Sequence, residues 1–163
     1  GANAAREADV APEQVAKIIV SRPGMKNLTG PLHPKNLIDM AHSPAYFTAA
    51  GVRDHQFGWI HASQEKIDDP VIHTLIDKVT VGPEPTENLA AYRQGATVAI
   101  EMTDGRTVAN TVFVPNGAGC VGIDWADVDE KCYALMPVAP LDDVKIESAL
   151  SKMRQFQTMA PQS

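Results

Sequence analysis

Three side chains able to bind or protonate a carboxylate lie close together near residue 45. They are His42, Ser43 and Tyr46, in the run His-Ser-Pro-Ala-Tyr. Ser43 can cap the free N–H groups of a helix, and Pro44 suits the first helical position, where no N–H is needed. The amides and the positive dipole end at such a helix start attract an anion. Taken alone, these residues favour the simpler interpretation, in which Ser43 caps, Tyr46 packs and His42 is solvated.

The helix that these residues begin is predicted to be short and buried. After Tyr46 and Phe47 its residues are small, namely Thr48, Ala49 and Ala50. Gly51 follows, and glycine is the residue that most often ends a helix in the left-handed conformation. A face of alanine and threonine lets another backbone approach closely, which suits a helix placed between layers of structure.

Composition limits the classes of protein to consider. The 163 residues suffice for one domain, and 44% hydrophobic with 21% charged residues is ordinary for a soluble globular protein. The net charge of −6 argues against a nucleic-acid surface. No apolar run approaches the roughly 18 residues of a membrane span, and no signal peptide opens the chain. We therefore expect a cytoplasmic protein with no nucleic-acid or membrane partner.

Metal and cofactor sites are not indicated. Cys120 and Cys132 lack metal-ligand spacing and are predicted to be buried thiols in a reducing compartment. His55 and His61 lack the spacing of two ligands on one helix face. The loop at 115–119 lacks the fuller fingerprints of nucleotide binding. We expect no metal and no cofactor.

Hydrophobic patterning predicts an α+β fold. A helix should begin at the cap-plus-proline pair Asp69-Pro70, with apolar residues at helical spacing after it. A long loop is expected over 21–35. Strands are expected over four segments: Val15–Val20, Lys78–Val81, Ala96–Met102 and Thr107–Val114. The result should be a small, mainly antiparallel sheet with helices packed on one face, plus C-terminal helices.

A hairpin and two closing helices complete the predicted elements. Asp104-Gly105 lies between two β-rich segments, so the hairpin tip should be a two-residue turn with positive φ at both positions. Asp124 can cap a helix that begins at Trp125 and stops at Pro137. A second helix is expected from about Asp142 to Phe156.

The order of these motifs resembles the MmgE/PrpD family, which includes 2-methylcitrate dehydratase, cis-aconitate decarboxylase and iminodisuccinate epimerase. His-Ser-x-x-Tyr before a small-residue helix is similar to the motif that opens the family's second domain. The segment from Asp69-Pro70 to Val81, the hairpin ending in Asp104-Gly105-Arg106, and Val128-Asp129-Glu130-Lys131 follow in the family's order. The resemblance implies four parts: an N-terminal tail at 1–14, a second or lid domain at 15–122, closing helices at 123–156 and a C-terminal tail at 157–163.

The same resemblance implies a cofactor-independent lyase of the dehydratase type that acts on a small carboxylate. Such chemistry removes a proton beside a carboxylate and expels a β substituent, so it needs a base, an acid and cations. The resemblance implies that Tyr46 is the catalytic proton donor or orienting hydroxyl, and that His42 and Ser43 bind substrate. Most of the family's other catalytic His, Asp and Lys positions have no match here. A helical partner chain, in a homo- or hetero-oligomer, would supply them.

Three interpretations remain open on the sequence. In the first, the chain is a small subunit or separated C-terminal domain that is active only with a helical partner. Alternatively, it is a non-catalytic binding or regulatory module that retains the fold. In the third, it is an unrelated α+β domain with a coincidental motif. The first interpretation predicts a large exposed apolar face, because exposed apolar patches usually mark an interface.

Overall fold

The computed structural model describes residues 1–136 and 141–155 of the chain. They fall into two compact units, one over residues 1–115 and one from residue 116 onward. The first unit carries the sheet and five of the described helices, and the second carries two further helices.

One four-stranded sheet organises the first unit. Its strands are β1 (Val15–Ser21), β2 (Val79–Val81), β3 (Ala96–Met102) and β4 (Thr107–Val112). They lie in the order β2-β1-β3-β4, with β1 and β2 parallel and the other two pairings antiparallel. The predicted α+β fold with a mainly antiparallel sheet is confirmed.

One face of this sheet is buried because its apolar residues alternate along each strand. Ile18 pairs with Ile100 and Val20 with Val98, and all four side chains are buried. Val15 is also buried, although its spacing of three from Ile18 would place it on the opposite face of a regular strand. A register shift between Val15 and Lys17 resolves this conflict, since an extra residue in one strand restores the facing of the next.

Helices cover the buried face. They are α1 (Ala2–Glu7), α2 (Leu37–Ala41), α3 (Pro44–Asp54), α4 (Gln64–Ile67) and α5 (Pro70–Ile76), with short 3-10 turns at Pro12–Gln14, Trp59–Ala62 and Leu89–Ala91. The core includes apolar residues from β1, β3, α1, α3 and α5. Asp69 caps α5 by accepting the Val71 N–H at 2.8 Å, as its cap-plus-proline pattern predicts.

The prediction that Gly51 ends the central helix is wrong. Helix α3 continues to Asp54, and His55 at φ 57° follows it in the left-handed conformation. Gly51 lies where α1 crosses, and a Cβ there would be 3.2 Å from the Ala2 nitrogen and 3.3 Å from the Ala2 Cβ. The glycine therefore permits close packing of two helices and does not terminate one.

The segment predicted as an N-terminal tail, residues 1–14, contains α1. Ala4, Ala5 and Val10 within it are buried in the core of the first unit. Small residues on α1 match the small residues on α3, so the two backbones come close together.

The hairpin forms, but its turn differs from the predicted one. The Gly105 N–H donates to the Met102 carbonyl at 3.0 Å, and the Met102 N–H donates to the Arg106 carbonyl at 2.8 Å. This pattern is a three-residue loop that ends in a left-handed residue. Gly105 has φ 87°, whereas Asp104 is not among the residues with positive φ, so the predicted two-residue turn is wrong. Asp104 instead accepts the Arg106 N–H at 3.0 Å.

The second unit contains α6 (Trp125–Leu135) and α7 (Asp143–Gln155). Asp124 caps α6 as predicted, in a reciprocal arrangement with Asp127. The predicted stop at Pro137, the end at Phe156 and the tail at 157–163 lie outside the described residues.

The prediction of two buried thiols is wrong. Cys120 is exposed and Cys132 is half-buried, and both are free. Within the described residues, no helix combines the length and apolarity needed to cross a membrane.

Candidate functional site

The start of α3 is built by the Ser43 side chain. Its hydroxyl oxygen accepts the Tyr46 N–H at 3.1 Å and lies 3.4 Å from the Leu32 carbonyl, to which it donates. The Ser43 side chain is fully buried. The predicted cap is therefore confirmed, and both hydrogen-bonding functions of the hydroxyl are used inside the domain.

Tyr46 extends from the first turn of α3 into the core. Its hydroxyl donates to the His61 carbonyl at 2.7 Å, and no part of the residue is exposed. Burial first, and then the nearby negative charges of Asp54 and Asp69, together raise the pKa of Tyr46 to about 12. The hydroxyl is therefore a protonated hydrogen-bond donor at neutral pH.

His61 joins this tyrosine to a carboxylate at the other end of the same helix. The Gly58 N–H donates to His61 Nδ1 at 3.1 Å, which leaves Nε2 to donate to Asp54 Oδ2 at 3.0 Å. The His61 ring is fully buried and lies against Phe57, with ring centroids 4.9 Å apart. The turn that accepts the Tyr46 hydroxyl is thus fixed by a histidine–carboxylate contact.

Two cations surround Asp54. Lys66 Nζ and Arg53 Nη1 each lie 2.5 Å from its carboxylate oxygens, and the Asp54 side chain is 11% exposed. Burial would raise the pKa of Asp54, but hydrogen bonds from Lys66 and Arg53 outweigh it and hold this pKa below its ordinary value. Arg53 Nε also lies 3.2 Å from Asp69 Oδ2, as an ion pair without hydrogen-bond alignment. The cluster binds the end of α3 to the start of α5.

His42 differs from its two predicted companions. It is exposed, and its ring makes no hydrogen bond or ion pair with any residue that the structure describes. The loop at Gly30 passes so close that an added Cβ would be 1.8 Å from the His42 carbonyl oxygen. The structure therefore brings Ser43 and Tyr46 together inside the domain and leaves the side chain of His42 exposed.

A groove of about 580 Å³ lies beside the first two turns of α3. Its walls are Phe47 and Thr48 of α3, the ends of β1 and β3, and the loop at 22–29. Two cations line it, of which Lys26 is 3.6 Å from Glu84 and Arg22 has no ion pair in the described part of the chain. Because Glu84 offsets the charge of Lys26, Arg22 is the cation of this groove that is not ion-paired among the described residues, and it lies next to an apolar wall.

Large apolar side chains are exposed on the turn that carries His61. Phe57 is 45% exposed, Trp59 69% and Ile60 56%. Single exposed apolar residues are normal, but three within four positions form a patch of the kind found at interfaces. The patch adjoins the carbonyl that accepts the Tyr46 hydroxyl.

The sequence pattern did not indicate the roles of His61, Asp54 and Lys66. The sequence raises His61 only as a metal ligand and excludes it as one. Its partner Asp54 is seven residues away, a separation that no sequence motif links to side-chain pairing. The signal available was the abundance of charges between residues 53 and 69. Over residues 1–136 and 141–155, no cluster of His, Cys, Asp and Glu could hold a metal ion.

The chain was compared with models of protein families and with curated proteins. The model of the MmgE/PrpD C-terminal domain matches residues 2–153. No curated protein matches the chain.

Proposed function

The chain belongs to the MmgE/PrpD family, as its C-terminal domain, and on that premise we propose that it forms one side of the active site of a lyase. The proposed reaction is the elimination of a β substituent from a small carboxylate, as in dehydration, without a cofactor. A helical domain, in the same polypeptide or in another chain, would supply most of the catalytic residues.

The proposed role of Tyr46 is to donate a proton or to orient the substrate. Elimination beside a carboxylate leaves a basic departing group, and a phenol is a suitable donor to it. With a pKa of about 12 the buried hydroxyl keeps its proton at neutral pH, so it can donate a hydrogen bond to the substrate, which supports the orienting role. To act, the hydroxyl must exchange its 2.7 Å bond with the His61 carbonyl for one with the substrate.

Binding of the substrate carboxylate is assigned in this proposal to His42, with Ser43 shaping the backbone beside it. The exposed, unpaired ring of His42 supports the first part, and the cap that Ser43 provides supports the second. Arg22, in the groove beside the first two turns of α3, offers further positive charge. Cations at these places would offset the charge that accumulates as the proton leaves.

A second candidate function is a binding or regulatory module that retains the fold without chemistry. The observation that favours it is the complete burial of both Ser43 and Tyr46, whose polar atoms are satisfied within the domain. In that case the family match would describe the fold alone.

The test is reconstitution. The helical domain is assayed with and without this chain for the dehydration of a hydroxy-tricarboxylate, by following the absorbance of the unsaturated acid. Turnover that requires both parts supports the lyase. Substrate binding without turnover supports the binding module, and a helical domain that turns over at full rate alone overturns the proposed active site.

A further inference from the structure

A chain of three hydrogen bonds connects the loop at 22–36 to α5. His33 Nε2 lies 2.9 Å from Asp77 Oδ1, and the Nδ1 atoms of His33 and His73 lie 2.8 Å apart. His73 Nε2 lies 2.7 Å from the Ile67 carbonyl oxygen. The two rings are inclined by only 10°. Because stacked rings cannot bring two atoms this close, the Nδ1 contact is a hydrogen bond in the plane of both rings.

These contacts fix the number of protons that the arrangement needs. A carbonyl oxygen only accepts, so His73 Nε2 must carry a hydrogen. One more hydrogen lies between the two Nδ1 atoms, and a third lies between His33 Nε2 and the Asp77 carboxylate. Two neutral imidazoles with an ionised carboxylate provide only two hydrogens. The three bonds therefore require one additional proton, which makes the group of three side chains electrically neutral.

Other charged groups near the two rings are engaged elsewhere or make no contact with them. Asp77 is the charged side chain that touches His33, and no described charged group touches His73 except through His33. Several charged neighbours have other partners. Among the cations, Lys66 and Arg53 bind Asp54, Arg53 also pairs with Asp69, and Lys78 donates to the Val15 carbonyl. Among the carboxylates, Asp68 accepts from Gln64 and Asp39 accepts from Asn36. Lys35 and Glu65, on the same segments, do not contact either ring. The charge of Asp77 is therefore what offsets the additional proton.

We propose that His33, His73 and Asp77 form a proton-binding site in which the two imidazoles share one proton more than two neutral rings carry. The bound proton fastens the loop at 22–36 to α5. With one proton fewer, one of the three bonds is lost. With one proton more, two N–H groups face each other across 2.8 Å. Attachment of the loop is therefore strongest when this one additional proton is bound, and it does not depend on the proposed lyase activity.

The loop at 22–36 connects this proton-binding site to the candidate functional site. The loop at 22–36 carries Arg22 and Lys26 of the groove, and the Leu32 carbonyl accepts the Ser43 hydroxyl. A change in the proton number of the site would loosen the segment that supports the start of α3.

The experiment is NMR of the whole chain with ¹⁵N-labelled histidine over a series of pH values. The ring nitrogens are detected through the carbon-bound ring protons, which do not exchange with water, and we expect coupling between the Nδ1 nitrogens of His33 and His73. The Asp77→Asn variant keeps an oxygen that can accept but removes the charge, and Asp77 is 70% exposed, so folding is preserved. Loss of the coupled signal in Asp77→Asn, and its retention in the control His42→Gln, supports the site. Absence of this coupling in the unchanged chain at every pH of the series, or a coupling that persists unaltered in Asp77→Asn, overturns it.

Discussion

The Tyr46 hydroxyl donates a hydrogen bond to the His61 carbonyl across 2.7 Å, and neither residue is exposed. This contact decides what the central helix can do. It holds the turn at 58–62 against α3, and it occupies the one polar atom of Tyr46 that chemistry would need. Any catalytic role of Tyr46 requires this turn to move, so the contribution of the contact to stability and the contribution of the hydroxyl to catalysis must be measured separately.

Tyr46→Phe should lower the free energy of unfolding by about 1 kcal/mol, because the His61 carbonyl loses its buried donor while the ring is kept. The pKa of Tyr46 is raised from its ordinary 10 to about 12. The contribution of its hydroxyl to the free energy of unfolding is therefore complete below pH 10 and is lost as pH rises toward 12. Denaturant unfolding across this range measures both effects. Tyr92→Phe is the control, because it removes a half-buried hydroxyl that bonds to Thr97. Equal alkaline slopes in the two variants would show that Tyr46 is not the group responsible.

Asp54→Asn should destabilise the first unit by about 2 kcal/mol, since Lys66 and Arg53 lose a largely buried partner. The pKa of Asp54 is lowered in the folded chain, so its contribution is present above the ordinary carboxyl range and disappears as pH falls through the folded value. In the variant, the free energy of unfolding should therefore depend less on pH in the acid range. The substitution should also lower the pKa of Tyr46, because the Asp54 charge is among the causes that raise it.

Absorbance of tyrosinate during an alkaline titration measures that second effect. Asp104→Asn serves as the control. The pKa of Asp104 is also lowered, first by the hydrogen bond from the Arg106 backbone, but this carboxylate is exposed in the hairpin turn. If Asp54→Asn leaves the alkaline titration unchanged, the charge coupling between the two ends of α3 is absent.

Gly105→Val should destabilise the hairpin by roughly 1–2 kcal/mol, because a β-branched residue is strained at φ 87°. Open space surrounds the position, so the penalty is one of backbone conformation and not of packing. Gly58→Val is the matched control, since Gly58 lies in the same unit, its surroundings are also open and its φ is −155°. Thermal unfolding midpoints that fall equally in both variants would refute the left-handed turn.

Local signals in the sequence predicted much of the fold. Ser43-Pro44, Asp69-Pro70 and Asp124 each cap a helix through atoms two or three residues away, so the pattern contains the whole interaction. The strands follow for the same reason, since their alternation is visible within a few residues. The hairpin was found but its turn type was not, because Asp-Gly suits both a two-residue and a three-residue loop.

The remaining features depend on contacts between distant parts of the chain. Gly51 has the local character of a helix end, and only the approach of Ala2 explains why it is glycine inside a helix. The burial of the Tyr46 hydroxyl depends on a carbonyl 15 residues away, and the His33–His73 contact spans 40 residues. No periodicity or motif records such pairings.

His42→Ala should raise KM in the assembled enzyme and leave kcat nearly unchanged, because a residue that only contacts the substrate carboxylate contributes equally to the ground and transition states. The exposed ring has no partner among the described residues, so stability should not change. Steady-state kinetics in which kcat falls with KM unaltered would instead assign His42 to the transition state.

The most direct test of the central claim is the turnover number of Tyr46→Phe in the protein assembled with its helical domain. Tyr92→Phe is measured beside it under the same conditions, and both variants are first shown to be folded. If Tyr46 handles a proton in the reaction, kcat should fall by roughly 10²-fold or more in Tyr46→Phe and stay near the unchanged value in Tyr92→Phe. A Tyr46→Phe enzyme with unaltered kcat would contradict the account and leave the His-Ser-x-x-Tyr motif as a structural element of the fold.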